Sequence, residues 1–406
     1  MWYFRFYLKE LSRFVKSGRV LVAYGPGRVV KTTVLKIVLT IIAGKAFSGA
    51  GEDQGLKEAF RSPCRDKIEV MAMVNEKKVS VVIVNWKSFD YTMKAIQSLD
   101  RHVKDGSFEV IVVDNNSLTD EHKERLKKRV CLCVNDSNLG FAIAANQGVQ
   151  LATTPFVLLL NPDCQLTETG IEPLLKVMEN QPEVGICGPM VVEPDGEVVR
   201  SCRRSLPGIL SLLGSYTLFS SVYNQLVRSR YKQDESYQRS GLTACIQGSC
   251  FLVRRSEFQA MGGFDERIPL FLDDMDLCAR YRKSGFQVYY CSDAVVIHEG
   301  GRSIEKMTNH THTSLVNFMA HDVFFLKHRG LFHFMTHRVL LFVLAVFFLS
   351  LNLVLLPVLY LLIQKRSLHY LSKHFWMLVY SLTGCFSPRG YPPSWPKCLF
   401  SVIKRK

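Results

Sequence analysis

The sequence predicts an α/β protein built on a mostly parallel sheet flanked by helices. Three observations carry that expectation. From residue 79 onward, short uninterrupted apolar runs (VSVVIVNW at 79–86, FEVIVVD at 108–114, PFVLLL at 155–160) have the composition of strands buried on both faces. Segments with a helical period separate them, which is the alternation of a βαβ sheet. Two of the runs lead into an acid, Asp114 and Asp163, at the carboxyl edge where such sheets bind ligands.

Charge divides the chain into three parts. Residues 1–78 carry 15 Lys/Arg against 7 Asp/Glu (+8), residues 301–406 carry 13 against 2 (+11), and the middle carries 23 against 27 (−4). The basic excess therefore sits in the ends. Beside long apolar runs it points to an anionic membrane surface, and no nucleic-acid fold motif is present. The 12 cysteines form no C-x-x-C pair or Cys/His zinc spacing. Cys133, Cys187, Cys250 and Cys278 fall in core-like segments and read as reduced thiols of a cytoplasmic protein.

Residues 1–78 read as an N-terminal extension outside the catalytic machine, poorly ordered or not native, with Met71 or Met73 as alternative starts. GPGRVVKTT at 25–33 approaches a phosphate-binding loop, but Val30 stands where glycine must precede the lysine. The apolar run at 34–43 is too short to span a bilayer in the usual way and reads as signal-like or interfacial. After the strand at 79–86 come helices at about 89–99, 119–128 and 141–151, with strands at 108–114, 130–134 and 155–164. FLDDMDLCARYRKSG at 271–285 reads as a helix with Asp273 as N-cap and Gly285 closing it. Helical spacing puts Asp274 on the face of Leu277, Cys278 and Tyr281, where a desolvated general base would sit. The same spacing puts Asp276 beside Arg280 and Lys283 on what reads as a solvated face.

Other residues carry chemistry by position. Asp114 could accept from the imide N–H of uracil or thymine, or build an Asx-turn after its strand. In NLGFAIAANQG (138–148), Gly140 and Gly148 permit close backbone approach to a ligand or close helix–sheet packing, and Asn146 adds an amide nearby. Asp163 is a candidate ligand for a divalent ion bridging a diphosphate. His298, at the end of an apolar strand and before a Gly-Gly pair, is a candidate beside it. Arg254 and Arg255 are available to phosphate but read as solvated.

These residues carry a family resemblance. VSVVIVNW, VIVVDNNS, NLGFAIAANQG, LNPD, QGSCFLVRRSEFQAMGGFDERIP (247–269), FLDDMDLCAR and VVIHEGGRS, in that order, resemble a family 2 glycosyltransferase of the GT-A fold, in its rhamnosyltransferase-like branch. The resemblance implies a glycosyltransferase domain over 79–303, with an insertion at about 204–241, and a membrane-associating region over 304–406. It implies Asp274 as catalytic base and Asn85, Asp114, Asn116, Asn138, Gly140 and Asn146 as the donor side. Asp163 and His298 would hold Mg²⁺ or Mn²⁺, and Gln247, Gly248 and Asp273 would lie on the acceptor side. It also implies a nucleoside diphosphate sugar as donor, with rhamnose on dTDP the first expectation, and inversion at the anomeric carbon. Two positions depart from the family pattern: Asn161 replaces the first acid of the DxD-like motif, and Asp273 replaces a glutamate.

A processive polysaccharide synthase is the nearest rival. It would need a Gln-x-x-Arg-Trp motif after the catalytic aspartate, whereas Gln225, Arg228 and Ser229 precede it and lack the tryptophan. An inactive membrane scaffold is a rival of another class, against which the acids at 114, 163 and 274 argue. The apolar segment at 205–227 either folds back onto the core or lies in the membrane interface beside the cleft; the second is expected, serving a polyprenyl-diphosphate-linked glycan acceptor at the cytoplasmic face of the inner membrane. Residues 339–363 are free of charge and long enough to span. Basic residues flank the run on both sides, so Asn352 and Pro357 are expected to break it into a re-entrant or interfacial element with both ends inside, with a single-span anchor as the alternative.

Overall fold

The computed structural model describes residues 77–103, 108–208, 235–268, 271–299 and 310–384. The reading of residues 1–76 and most of the 205–227 segment lie outside them. The first half alternates as expected: β1 (Val79–Asn85), α1 (Phe89–His102), β2 (Phe108–Asp114), α2 (Asp120–Lys127), β3 (Cys131–Val134), α3 (Phe141–Leu151), β4 (Phe156–Leu160), β5 (Cys164–Leu166), α4 (Glu172–Asn180) and β6 (Val184–Val192). The second half adds β7 (Arg203–Arg204), β8 (Gly241–Leu242), β9 (Cys245–Ile246), β10 (Cys250–Arg254), α5 (Arg255–Ala260), α6 (Asp273–Lys283) and β11 (Gln287–His298). Two long helical segments follow, α7 (His310–His328) and α8 (Leu331–Thr383).

The main sheet runs β3-β2-β1-β4-β10-β6-β11-β5, with β8 beside β11. β1 pairs parallel to both β2 and β4, so the strand order reverses at β1. That switch point opens a crevice at the carboxyl ends of β1, β2 and β4. β10 is antiparallel between β4 and β6. β1 is buried almost throughout, as its β-branched run requires, whereas β3 is a half-exposed edge strand.

Each face of the sheet is covered by helices whose apolar stripe matches it. Met93, Ile96 and Leu99 of α1 pack with Leu174 and Met178 of α4 on one face. On the other, the alanines of α3 pack with Leu277, Cys278 and Tyr281 of α6. Gly148 in α3 lets the helix lie close: a Cβ there would meet Val82 Cγ1 at 2.3 Å. Its glycine thus serves packing, and ligand approach is not its role. Among the described residues all nine cysteines are free and seven are buried; Cys133 is half-buried on the edge strand, outside the core expected for it.

Candidate active site

Three strand ends and one helix start compose the site. β4 passes through a turn to Asp163, whose Oδ1 lies 3.2 Å from His298 Nε2 at the end of β11. The antiparallel register of β5 and β11, which sets Cys164 opposite His298, brings together residues 135 positions apart (298 − 163). The Glu299 N–H donates to Asp163 O, and the Glu299 carboxylate accepts from Lys94 and Gln165, which fixes the strand end. Cys164 completes a buried trio with Asp163 and His298. Burial pushes the Cys164 thiol well up, and it donates to Ser249 O, so it behaves as a core thiol. Asp163 and His298 offer one oxygen and one nitrogen at a separation suited to neighbouring positions on one divalent ion.

Asp274 is joined to that corner through two consecutive residues. Gly248 N–H donates to Asp274 Oδ2 at 2.7 Å, and Ser249 O accepts from Asn161 N in the turn that carries Asp163. A Cβ at Gly248 would stand 3.3 Å from Asp274 Oδ2, a tight contact that glycine avoids. Ser249 Oγ is buried without a hydrogen-bond partner. Asp274 Oδ2 also accepts from Arg204 at 2.5 Å, and Oδ1 accepts from Met275 N. Three donors on a carboxylate that can take about four leave it one lone pair for a hydroxyl proton. Burial works against the Arg204 charge, but Asp274 together with Cys245 and Cys278 more than offsets it, so the guanidinium pKa is raised. Gln247, expected beside Gly248, accepts from Ser201 Oγ.

The helix start differs from expectation in two ways. Leu272 is the N-cap, and Asp273 is the first helical residue. Asp276 does not face solvent. It is fully buried, with Oδ2 2.8 Å from Arg280 Nε and Oδ1 2.8 Å from Lys327 and 2.7 Å from His328 of α7. Burial alone would push its pKa up, but His328, Arg280 and Lys327 outweigh that and hold it low.

Asp273 goes the other way: burial, then the charge of Asp274, pushes its carboxyl up to about 7. The folded protein keeps a proton there that the unfolded chain has lost above its ordinary value of 3.8. The resulting stability is fully present below that value and is lost as pH rises through about 7. Asp273→Asn should therefore flatten the fall in melting temperature between pH 4 and 8, with a ceiling of about 4 kcal/mol. The same fall in the variant would rule this out.

The donor-side expectations divide. Asp114 is fully buried, and it accepts from Asn85 Nδ2, Ser117 N, Ser117 Oγ and Leu118 N. Three of these donors belong to the Asx-turn after β2 and the fourth to β1, so Asp114 ties the turn to the neighbouring strand end. Asn85 is its buried buttress, itself held by Thr92. Asn146 clamps the loop after α5 by accepting from Phe264 N and donating to Phe264 O. Asn138 receives Gly140 N. Gly140 takes φ 91° at the start of α3, a backbone conformation that favours glycine. Asn116, exposed at φ 55°, and Gly140 remain at the carboxyl edge. Arg254 is no phosphate ligand: it binds the carbonyls of Met178, Gln181 and Val184. Arg255 likewise binds Thr154 O. Sequence reasoning missed Arg204, which sits in a dipeptide RR before an apolar segment with nothing to mark it.

Comparisons place the geometry in context. Residues 80–262 match the family model described as "Glycosyl transferase family 2". The N-acetylglucosaminyl-diphospho-decaprenol L-rhamnosyltransferase of Mycobacterium tuberculosis (strain ATCC 25618 / H37Rv) is 31% identical over 209 residues, which span 48% of this chain and 67% of that protein. Rhamnosyltransferase WbbL of Escherichia coli (strain K12) is 22% identical over 233 residues, 54% of this chain and 83% of the other. Among solved structures, mannosyltransferase PcManGT from Pyrobaculum calidifontis in complex with GDP-Man and Mn²⁺ is 14% identical with a TM-score of 0.42, covering 75% of this chain and 87% of that one.

Proposed function

Because the chain belongs to glycosyltransferase family 2, in its rhamnosyltransferase-like branch, we propose that it is an inverting, metal-dependent glycosyltransferase of envelope polysaccharide synthesis. The donor is a nucleoside diphosphate sugar, and the acceptor is a hydroxyl of a polyprenyl-diphosphate-linked glycan. One observation carries the reading: the Asp163–His298 pair and Asp274 are tied into one site through Gly248 and Ser249. Rhamnose, and an acceptor of the N-acetylglucosaminyl diphosphate type, are supported by the names of the relatives. Nucleotide sugars are cytoplasmic, which sets the reaction at the cytoplasmic face of the plasma membrane.

Asp274 takes the proton from the acceptor hydroxyl as that oxygen attacks the anomeric carbon. Gly248 N–H and Arg204 hold the carboxylate in the orientation that leaves its free lone pair for the proton. Attack from the face opposite the diphosphate inverts the centre. A divalent ion held by Asp163 and His298 would supply positive charge toward the departing diphosphate.

A panel of nucleotide sugars, offered to the purified protein with Mg²⁺ or Mn²⁺, tests the reading. One donor should bind and turn over, and Asp163→Ala should weaken its binding at least tenfold. Full turnover in excess chelator would contradict the metal assignment.

A further inference from the structure

α8 is helical over 53 residues, Leu331–Thr383, which as a straight rod would measure about 80 Å. It is not straight. The Phe348 ring stacks on His374 with centroids 4.8 Å apart, and Arg338 lies over the Tyr380 ring at 4.8 Å. Pairs 26 and 42 residues apart (374 − 348 and 380 − 338) can touch only if the segment doubles back between Phe348 and His374. Both arms meet one acid of α7: Asp322 takes His337 Nδ1 at 2.7 Å from the first arm and Tyr380 OH at 2.6 Å from the second. The same α7 ends in Lys327 and His328, which grip Asp276 next to the proposed base. Both arm ends therefore lie on the catalytic side.

The first arm has two unlike faces. At about 100° per residue, His337, Leu341 and Ala345 share the buried side. Phe332, Met335, Val339, Phe342, Val346 and Val354 share the opposite one and are all at least 40% exposed. The apolar window Leu331–Leu351 has the length and composition of a membrane helix, yet only 17% of it is buried, which a core helix of a soluble protein would not show. The second arm carries Lys365, Arg366 and Lys373 in its sequence, too much charge for a crossing. The region from 301 onward bears a net +11 (13 Lys/Arg, 2 Asp/Glu), complementary to an anionic lipid surface.

We propose that the α8 hairpin is a monotopic membrane element, seating its exposed apolar stripe in one leaflet of an anionic bilayer and returning both arms to the catalytic side. An in-plane element buries one face only, and the first arm offers one. The inference stands on the hairpin's own contacts and does not depend on the reading of the reaction. It sets the catalytic cleft at a fixed height over the leaflet, since α7 bolts the hairpin to α6.

The test is flotation of the full chain with vesicles of phosphatidylcholine, with and without phosphatidylglycerol. The wild type should float with the anionic vesicles and less with the neutral ones. The triple variant Val339→Glu, Val343→Glu and Val346→Glu, on exposed positions, should lose more than tenfold of the vesicle-bound fraction while its melting temperature holds. Protease sites inserted in the turn at 194–196 and directly after Gly384 should both be cut from the outside of sealed vesicles. Cutting after Gly384 only once the vesicles are permeabilised would make the segment a span and overturn the proposal. Equal flotation of variant and wild type would also overturn it. So would a vesicle-free dimer that the same substitutions break, because the stripe would then cover a second copy of the chain.

Discussion

Asp274→Asn is expected to lower turnover by about 10²–10⁴ while donor affinity stays close to wild type. The argument rests on position. Asp274 is almost wholly buried, and three donors fix its orientation: Arg204, Gly248 N and Met275 N. Asparagine keeps the shape and can still accept from the glycine amide, but it cannot take a proton. The loss should therefore fall on the chemical step. The substitution also strands the Arg204 guanidinium, whose Nε is already buried without a partner, so some stability goes with it. Measuring turnover together with the melting temperature separates the two. A variant that stays folded and retains wild-type turnover would remove Asp274 from the mechanism.

Asp276→Asn is expected to act on the fold. Two cations, Arg280 from its own helix and Lys327 from α7, converge on that carboxylate with the His328 imidazole, and it is fully buried. Removing one partner of a buried ionic cluster typically costs about 3–5 kcal/mol, because the remaining charges stay desolvated. The variant should melt well below wild type, and the contact between α6 and α7 should open first. Asp265, which shares Lys327 and pairs with Arg267, cannot substitute, since its carboxylate already serves both. Turnover per folded molecule should change far less than in Asp274→Asn. An unchanged melting temperature would show that the α6–α7 junction gains nothing from these pairs.

What could be read in the sequence follows from range. The uninterrupted apolar runs of β1, β2 and β4 announce buried parallel strands, because burial on both faces leaves no room for alternation. The periodicity of α6 correctly turns Asp274 toward the buried side, since Leu277, Cys278 and Tyr281 fix that face. The same periodicity fails for Asp276. A helical wheel sees only its own helix, and α7, arriving more than 30 residues later, covers the face that would otherwise be solvated. Asp114 and Asn85 read two ways for a different reason. A polar residue at a strand end serves a ligand or its own turn equally well in sequence, and here Asp114 is held by its turn and by Asn85 of the neighbouring strand. Arg254 reads as solvated by composition, yet carbonyls at the end of α4 and the start of β6 draw it inward. The doubling of α8 is legible only as a charge argument until Phe348 meets His374.

The central claim is single displacement at the anomeric carbon with Asp274 as base, and product stereochemistry tests it most directly. The purified protein should be given the turning-over nucleotide sugar, with dTDP-rhamnose first, and an N-acetylglucosaminyl diphospho-polyprenol. The anomeric configuration of the new linkage is then read by NMR. The account predicts inversion relative to the donor. Retention of configuration would contradict it.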